Sequence, residues 1–371
     1  MIRLPHGPAA RGLAILALVL AACSPPAPNA TGGGRTLFVA NGEEATLSRL
    51  DSATGTVTGP PLPAGRAPWQ IATGPNGNLL VLSISPRHSA EMTYLSRRGA
   101  GYVPRAVNLE ARAREGQMAS DGRYAVIAYH LPGPSGPGTG PRCRMAVVDL
   151  AEGSLLATHR ACDAFESVFT LAVEPGPEGP LAYLGIWRWP HAAADGGWSP
   201  GGGRLVVLDA ISGAVRDVLP LAGAPSSASI ATEPYGGARR LYLVETQPGP
   251  ETEYASPERW SLLTLDPITL AVLSSRTLNE PPLWLTVAPD GKDAYYAIGG
   301  SNLLMHVALT TGAVRQLASL PGMGLGIAVT HDRLFVPNPT SNEVWVVDRR
   351  SGRRLRPFAA GRHPIGLALG G

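Results

Sequence analysis

The sequence contains few charged residues and almost no lysine. Only 16% of its 371 residues are charged, Lys292 is its single lysine, and the formal net charge is +3. Two positive charges, Arg3 and Arg11, lie in a segment that we expect to be removed, which leaves +1. A nucleic-acid-binding domain is expected to carry a strongly basic face or stripe. This near-neutral balance therefore argues against nucleic acid as a partner.

The sequence lacks the short motifs that identify common catalytic and metal-binding sites. There is no glycine-rich phosphate loop, no serine in a nucleophile elbow and no zinc signature. The histidines lie apart, without the paired spacing of metal ligands on one strand or helix. The sequence therefore predicts no metal and no cofactor. The open alternative is a metal bound by His88, His130 and His191, which long loops would have to bring together.

Long apolar runs are also missing, apart from one near the N-terminus. The run Leu13-Ala-Ile-Leu-Ala-Leu-Val-Leu20 is too short to span a bilayer by itself. It follows the two arginines and precedes small residues, which is typical of a cleaved export signal. We therefore predict a signal peptide over residues 1–22 and a location outside the cytoplasm.

The end of that signal, Leu20-Ala-Ala-Cys23, resembles the lipobox of bacterial lipoproteins. The resemblance implies cleavage before Cys23, lipid attachment to it and anchoring in the cell envelope. Because Ser24 stands where a retention aspartate would be, it implies the outer membrane if the cell is Gram-negative. Residues 23–34 begin proline-rich and end glycine-rich, as in a tether. An ordinary secreted protein cut after Ala22 is the alternative.

Glycine and proline, in contrast, are abundant, with 45 and 36 residues. Together with the low charge, they favour many short strands joined by tight turns. A large aliphatic residue, a small residue and an apolar or β-branched residue recur as a triplet along the chain. The triplet occurs at Ile71-Ala-Thr73, Leu171-Ala-Val173, Ile230-Ala-Thr232, Leu285-Thr-Val287, Ile327-Ala-Val329 and Leu367-Ala-Leu369. Because repeats stack around one continuous core, we expect one domain over residues 35–371.

Each repeat contains four strand-like runs separated by turn residues, as residues 283–320 illustrate. Between the third and fourth runs, Asp and Gly often stand four apart, first at Asp51 and Gly55, which suits a type I turn with a bulge. Four-stranded units repeated radially make a β-propeller. The fold prediction is therefore all-β, a seven-bladed β-propeller of four-stranded antiparallel blades. The C-terminal strand should join the first blade and so remove an open edge.

Three segments around the innermost strands carry a further signal. They are Gly65-Arg-Ala-Pro-Trp69, Gly361-Arg-His-Pro-Ile365 and Leu37-Phe-Val-Ala-Asn41. The blade pattern resembles the YVTN-type propeller repeats of bacterial surface and exported proteins, over nearly all of the mature chain. The resemblance implies the propeller fold. It leaves the function open, since that family spans binding proteins, lactonases and subunits of periplasmic oxidoreductases.

Two cysteines are placed to pair within the third blade. Cys143 starts the third run and Cys162 ends the fourth, almost equidistant from the turn at residues 151–153. Antiparallel pairing would set them opposite each other, and exported proteins meet oxidising conditions. We predict a disulfide that contributes about 3 kcal/mol of stability. Two reduced thiols are the alternative.

A candidate site follows from where the loops of a propeller emerge. Loops between the second and third runs, and those linking blades, share one face. Long insertions of the first kind occur at residues 85–91, 130–142, 187–203 and 245–259. The third contains Trp187, Trp189 and His191, and aromatic side chains beside arginine are typical of interface anchors. The alternative is that the tryptophans merely cover the end of the blade.

The connections between blades should place further candidates on the same face. These are Arg66, Glu115, Glu166, Trp284, Arg362 and His363. Glu115 and Trp284 are expected to point toward the mouth of the central channel. A mixed rim of this kind suits a small polar or anionic ligand. The alternative is that these charges are simply hydrated.

Two functions stay open from the sequence. The first is a membrane-anchored extracytoplasmic propeller that acts as a binding or scaffold module for a protein partner or a small polar ligand. The second is a hydrolase of lactone or ester type, or a propeller subunit of a periplasmic oxidoreductase, with its chemistry at the channel mouth. A hydrolase needs a base and carboxylates, for which His363, Glu115 and Glu166 are the candidates.

Overall fold

A computed structural model describes most of the chain after the N-terminal segment. The described residues are 35–84, 89–110, 113–131, 142–163, 165–189, 191–192, 198–199, 201–232, 239–247, 259–280, 282–298, 301–324 and 326–370. Within these ranges the helical content is one 3-10 turn, Pro75–Gly77. No helix long and apolar enough to cross a membrane occurs in them. The predicted signal peptide, Cys23 and the tether lie outside the described residues.

The strands of the described residues form seven four-stranded antiparallel sheets and one short hairpin. Blade one has β1 (Thr36–Asn41), β2 (Thr46–Asp51) and β3 (Leu62–Pro63), and blade two has β4 (Pro68–Thr73), β5 (Leu79–Ile84), β6 (Ala90–Arg98) and β7 (Gly101–Val107). Blade three has β8 (Arg114–Ser120), β9 (Tyr124–Leu131), β10 (Arg142–Asp149) and β11 (Leu155–Arg160).

Blade four carries the hairpin between its second and third strands. It has β12 (Glu166–Pro175), β13 (Pro180–Arg188), the hairpin strands β14 (His191–Ala192) and β15 (Trp198–Ser199), β16 (Gly202–Asp209) and β17 (Val215–Leu221). Blade five has β18 (Ala224–Thr232), β19 (Arg239–Gln247), β20 (Arg259–Leu265) and β21 (Val272–Leu278).

The last two blades are followed by the strand that completes the ring. Blade six has β22 (Pro282–Val287), β23 (Asp293–Ile298), β24 (Leu303–Ala308) and β25 (Val314–Ser319), and blade seven has β26 (Ala328–Val329), β27 (Arg333–Asn338), β28 (Glu343–Asp348) and β29 (Phe358–Ala359). The final strand, β30 (Pro364–Gly370), pairs antiparallel with β1, where Leu37 lies opposite Leu369. The predicted seven-bladed propeller and its closure by the C-terminal strand are both confirmed.

Apolar side chains fill the spaces between neighbouring blades. One cluster joins Leu37 and Val39 of blade one, Leu367 of β30, and Phe335 and Val346 of blade seven. Burying a side chain of this size stabilises the fold by about 1.5–3 kcal/mol. Because the cluster forms only when the last and first blades meet, ring closure is itself a packing interaction.

The turns between the third and fourth strands follow the Asp–Gly prediction. The Oδ1 atom of Asp51 accepts hydrogen bonds from the backbone N–H groups of Ala53 and Thr54, and Gly55 has a left-handed φ of 75°. The same carboxylate capping occurs at Asp149, Asp209, Asp266 and Asp348. In the fourth of these turns, Leu270 takes the glycine's place with a φ of 55°. The aspartate therefore holds the turn even where glycine is missing.

The strand order gives the ring two distinct faces. We call the face with the five aspartate turns, at Asp51, Asp149, Asp209, Asp266 and Asp348, the turn face. The opposite face, with the blade-to-blade connections at residues 64–67, 161–163 and 360–363, is the loop face. Both ends of the described chain belong to blade one, since Thr36 pairs with both Asp51 and Gly370.

Candidate functional site

A buried carboxylate organises the loop face of blade four. Glu166 is the first residue of β12, and its side chain is fully buried. Its Oε1 accepts hydrogen bonds from Nε and Nη2 of Arg188, at 3.0 and 2.8 Å. Its Oε2 accepts from Nη2 of Arg204 at 2.7 Å and from the backbone N–H of Asp163 at 2.8 Å. Both carboxylate oxygens of Glu166 are therefore occupied by hydrogen bonds within the protein.

The strand register explains why these charges meet. Glu166 lies directly opposite Arg188 in the pairing of β12 with β13, and Arg204 comes from the next strand of the sheet, β16. A buried carboxylate is tolerated only when its hydrogen bonds are satisfied. Two guanidinium groups share this one carboxylate, and both are partly exposed. Counting these three described side chains, the cluster carries a net charge of +1.

The predicted disulfide lies directly beneath this cluster. Cys143 and Cys162 are bonded, with their Cα atoms 5.1 Å apart, and both are buried. The two Sγ atoms lie 3.3 Å from the backbone oxygen of Glu166. The cross-link of blade three therefore packs against the first residue of blade four. The pairing predicted from the sequence is confirmed.

Two tryptophans, Trp187 and Trp189, lie on either side of Arg188 in the sequence. Trp187 is half-buried opposite Ser167 of β12, whereas Trp189 is 45% exposed. The indole of Trp189 is fixed from two sides, because its Nε1 donates to Oγ of Ser167 at 3.3 Å and its ring lies 5.7 Å from that of Phe169. An exposed tryptophan held in one orientation loses little conformational entropy when it is covered.

We name this surface the tryptophan–arginine patch. It consists of Glu166, Trp187, Arg188, Trp189 and Arg204. It combines a flat apolar ring, two guanidinium groups and a disulfide-braced support. Such a combination suits recognition of an anionic group next to an apolar surface. His191 follows in β14, but its side chain lies outside the described part of the chain.

The other charged candidates lie in two blade-to-blade connections of the loop face, one between blades one and two and one between blades seven and one. Arg66 is exposed in the connection between these blades. Arg362 is exposed, with its Nε 3.5 Å from Oε1 of Glu44. His363 is exposed at a left-handed φ of 57°, and its backbone N–H donates to Oδ1 of Asn342 at 2.9 Å. No contact in the described structure joins these residues to the tryptophan–arginine patch.

The structure assigns Trp284 to packing. It is only 5% exposed and belongs to an apolar cluster of blades six and seven that includes Ile327 and Val329. Trp69 of blade two also packs on this cluster. The Trp284 side chain is therefore buried in this packing and offers almost no surface to a ligand.

Two candidates considered from the sequence, Glu115 and the alternative histidine metal site, fall wholly or partly outside the described residues. The Glu115 backbone lies in β8, but its side chain is outside the described residues. Among the residues the structure does describe, no group of three or more His, Cys, Asp and Glu side chains is arranged to hold a metal ion. His88, the first of the three histidines considered as ligands, is likewise outside the described ranges.

Sequence reasoning missed the two residues that complete the patch, Arg188 and Arg204. Arg188 stands between the two predicted tryptophans, so the signal was present. Arg204 lies sixteen positions further along, at the start of the third strand. Only the register of β16 against β13 brings it to Glu166.

The fold and site define a seven-bladed β-propeller with a braced aromatic and cationic patch. No protein-family model and no curated protein matches the sequence. Solved structures do match it. Apo AztD from Citrobacter koseri is 14% identical with a TM-score of 0.52, and the match covers 91% of this chain and 98% of that one. Hydrazine synthase from Kuenenia stuttgartiensis is 14% identical with a TM-score of 0.58, covering 90% and 96%.

A third structure has a similar degree of likeness. The dihydro-heme d1 dehydrogenase NirN, in complex with DHE, is 16% identical with a TM-score of 0.56, and the match covers 93% of this chain and 77% of that one. At such low identity the likeness concerns the fold. Two of the three matched proteins are named for different enzymatic roles, which agrees with the rule that a propeller fold does not determine function.

Proposed function

We propose that this protein is a lipid-anchored, extracytoplasmic binding module that captures a partner through the tryptophan–arginine patch. The N-terminal lipobox resemblance supports the anchor at Cys23. The patch supports the binding role, because Trp189 is held by Ser167 and Phe169 while 45% of it stays exposed. An indole that is held in place and is still 45% exposed is the single observation that carries the proposal.

The charge of the patch indicates the kind of partner. Arg188 and Arg204 together bring two positive charges, and Glu166 brings one negative charge. A partner that places a carboxylate or phosphate near the guanidinium groups would complete the pairing. An apolar group next to that anion would cover the Trp189 ring. We therefore propose a protein segment, or a small ligand, that is both anionic and partly apolar.

Co-purification tests the binding role directly. The mature protein is extracted from membranes with its bound material, which is identified by mass spectrometry after mild cross-linking. Truncating an anchor residue of an interface costs about 2 kcal/mol or more, close to 30-fold in affinity. We expect Trp189→Ala to lower recovery of the partner by at least ~10-fold.

The matched control is Val218→Ala on the outer strand of the same blade. Its side chain is 44% exposed, close to the value for Trp189, but it lies outside the patch. Recovery by this variant should equal that of the unaltered protein. Equal recovery by the Trp189→Ala and Val218→Ala variants would remove the patch from the proposal. A sample with no bound material under any condition would remove the binding role.

A hydrolase, or a subunit of an oxidoreductase, is the second candidate. The fold likeness to the dehydrogenase NirN and to hydrazine synthase supports the oxidoreductase form of this idea. The hydrolase form has less support, because Glu166 is already bound on both oxygens and is not free to act as a base. Assays with lactones and esters test it. Turnover that disappears in His363→Ala, with folding intact, would favour the enzyme over the binding module.

A further inference from the structure

Exposed aliphatic residues recur at one position of the propeller. Val57, Leu155, Val215, Val272 and Val314 come from five different blades. Their side chains are between 38% and 68% exposed. Single exposed aliphatic residues are ordinary on protein surfaces. Their recurrence at one equivalent position in five blades is not ordinary, because it brings exposed aliphatic side chains to the same rim of the ring.

The strand register shows that the position is equivalent in each blade. Each residue lies on the outermost run, opposite the residue that precedes the turn between the third and fourth strands. The pairs are Val57 with Leu50, Leu155 with Val148, Val215 with Leu208, Val272 with Leu265, and Val314 with Val307. All five therefore lie at the rim of the turn face. Leu156, Leu273 and Ile268 extend this apolar rim and are also exposed.

Blade seven has a different residue at the equivalent position. Arg354 pairs with Val347, and its guanidinium lies 5.4 Å from the centre of the Trp345 ring. Three more arginines are exposed close to it, namely Arg350, Arg353 and Arg356. The rim thus carries aliphatic residues on blade one and on blades three to six, which we call the aliphatic sector, and arginines on blade seven, which we call the basic sector.

The described chain starts beside the basic sector. The backbone oxygen of Arg35 accepts a hydrogen bond from the N–H of Ser52 at 2.8 Å, within the blade-one turn of the turn face. Arg333 of blade seven contacts the same turn, with its Nη1 3.3 Å from the backbone oxygen of Ser52. Arg35, the first described residue, therefore lies at the turn face, next to blade seven.

The length of the segment before Arg35 limits how far the ring can lie from its anchor. If Cys23 carries lipid, eleven residues, Ser24 to Gly34, connect it to Arg35. A flexible chain of this length has a root-mean-square span of about 20 Å, and a fully extended one reaches about 40 Å. A tether of this length is long enough for the turn face to rest on the bilayer surface.

From these observations we propose that the turn-face rim rests on an anionic phospholipid surface. The aliphatic sector would contact the interfacial region and the blade-seven arginines would bind lipid phosphates, as in other peripheral membrane contacts. This inference rests on the lipid anchor of the proposed function. It adds an orientation, in which the loop face and its tryptophan–arginine patch point away from the membrane toward the partner.

Site-specific fluorescence in vesicles tests the orientation. The full lipidated protein is prepared as Val272→Cys or, as control, Ser341→Cys on the loop face. Both positions are exposed. Cys143 and Cys162 are bonded to each other, so they do not react with the label. Each variant is labelled with an environment-sensitive dye and reconstituted in vesicles of phosphatidylcholine and phosphatidylglycerol that contain a lipid-borne quencher.

We expect the Val272→Cys label to shift to shorter wavelength and to be quenched at least 2-fold more than the Ser341→Cys label. Replacing phosphatidylglycerol by phosphatidylcholine should reduce that difference, and so should Arg353→Glu combined with Arg354→Glu. Equal quenching at both positions in protein that floats with the vesicles would overturn the orientation while leaving the anchor intact. The same shift in detergent, growing with protein concentration, would identify a second copy of the chain as the occupant and overturn the lipid contact.

The anchor is checked separately by the mass of the N-terminal peptide. A peptide that carries acyl chains on Cys23 agrees with both proposals. An unmodified Cys23 in protein isolated from its native cells would overturn the anchor and, with it, the membrane-facing rim. Capture of a partner through Trp189 would be unaffected by that result, so the two failures are distinguishable.

Discussion

The guanidinium of Arg349 in blade seven holds the carboxylate of Asp290 in blade six, with its Nη2 2.8 Å from Oδ1 and 2.7 Å from Oδ2. The same Nη2 lies 2.8 Å from Oδ2 of Asp293, and Nε donates to the hydroxyl of Tyr295 at 2.8 Å. Arg349 is only 8% exposed. This one side chain therefore fastens blade seven to blade six on the turn face.

Removal of that arginine should weaken the ring. Breaking a buried ion pair leaves an unpaired charge and costs about 3–5 kcal/mol. Because Asp290 and Asp293 are partly exposed, water replaces part of the interaction, and we expect Arg349→Ala to lower the free energy of unfolding by about 2–3 kcal/mol. Denaturant titration measures it. Arg353→Ala, at an exposed site, should change the value by less than about 0.5 kcal/mol, and an equally small effect of both substitutions would contradict the assignment.

The stability of the fold should fall in acid. Burial raises the pKa of Asp293, but hydrogen bonds from His306 and Arg349 outweigh burial and hold that pKa below 3.8. Backbone N–H groups of the turns lower the pKa of Asp51 and Asp209 in the same direction. A carboxyl group whose pKa is lower in the folded chain adds stability above its unfolded pKa and loses it as the pH falls through the folded one.

We therefore expect a constant free energy of unfolding above about pH 5 and a decline below about pH 4. The measurement is denaturant unfolding at a series of pH values. Asp209→Asn should flatten the decline, because the amide cannot titrate. Curves of the same slope for the variant and the unaltered protein would show that this turn does not contribute.

The disulfide should stabilise both the ring and the patch. It closes a loop between Cys143 and Cys162, nineteen positions apart, for which the chain-entropy contribution is about 3 kcal/mol. We expect Cys143→Ser combined with Cys162→Ser to lower the midpoint of thermal unfolding. Since both Sγ atoms pack on the Glu166 backbone, tryptophan fluorescence at the patch should also change. The unaltered protein is measured both oxidised and in reductant for comparison. Identical midpoints in these two samples and in the double variant would exclude a stabilising role.

Glu166 should matter for the patch although it is buried. Glu166→Gln keeps the shape but removes the charge that holds Arg188 and Arg204. An amide presents one acceptor oxygen where two are used, so one guanidinium loses its partner. We expect partner capture to fall several-fold and stability to fall by about 1–3 kcal/mol. Arg66→Gln, elsewhere on the loop face, is the control, and unchanged capture in Glu166→Gln would separate the buried anchor from the binding surface.

The architecture could be predicted because its determinants are local and repeated. Turn residues such as Asp51 and Gly55 mark the strand ends, and the repeat at Leu367 to Leu369 shows that the last strand belongs to a blade without a first strand of its own. The pairing of Cys143 with Cys162 could be predicted in the same way, because the two residues are almost equidistant in sequence from the turn at residues 151–153.

The site was harder to predict because it depends on register and burial. Glu166 has the charge expected of a ligand-binding residue, yet its partners Arg188 and Arg204 come from two other strands, and the sequence does not show which charges will meet. Trp284 looks like a channel residue because it lies on the innermost strand of its blade. Its large ring is buried in the apolar cluster of blades six and seven, a burial that the sequence does not show.

The pairing of β1 with β30 also has a consequence for biogenesis. A chain that emerges from the ribosome N-terminus first holds β1 with one free edge until residues 364–370 appear, more than three hundred positions later. The first strand of the described chain is thus the last to gain its neighbour. The free β1 edge of a nascent chain would have to be protected from other chains over this interval. Loss of even a short C-terminal stretch would leave that edge unpaired and prone to aggregation.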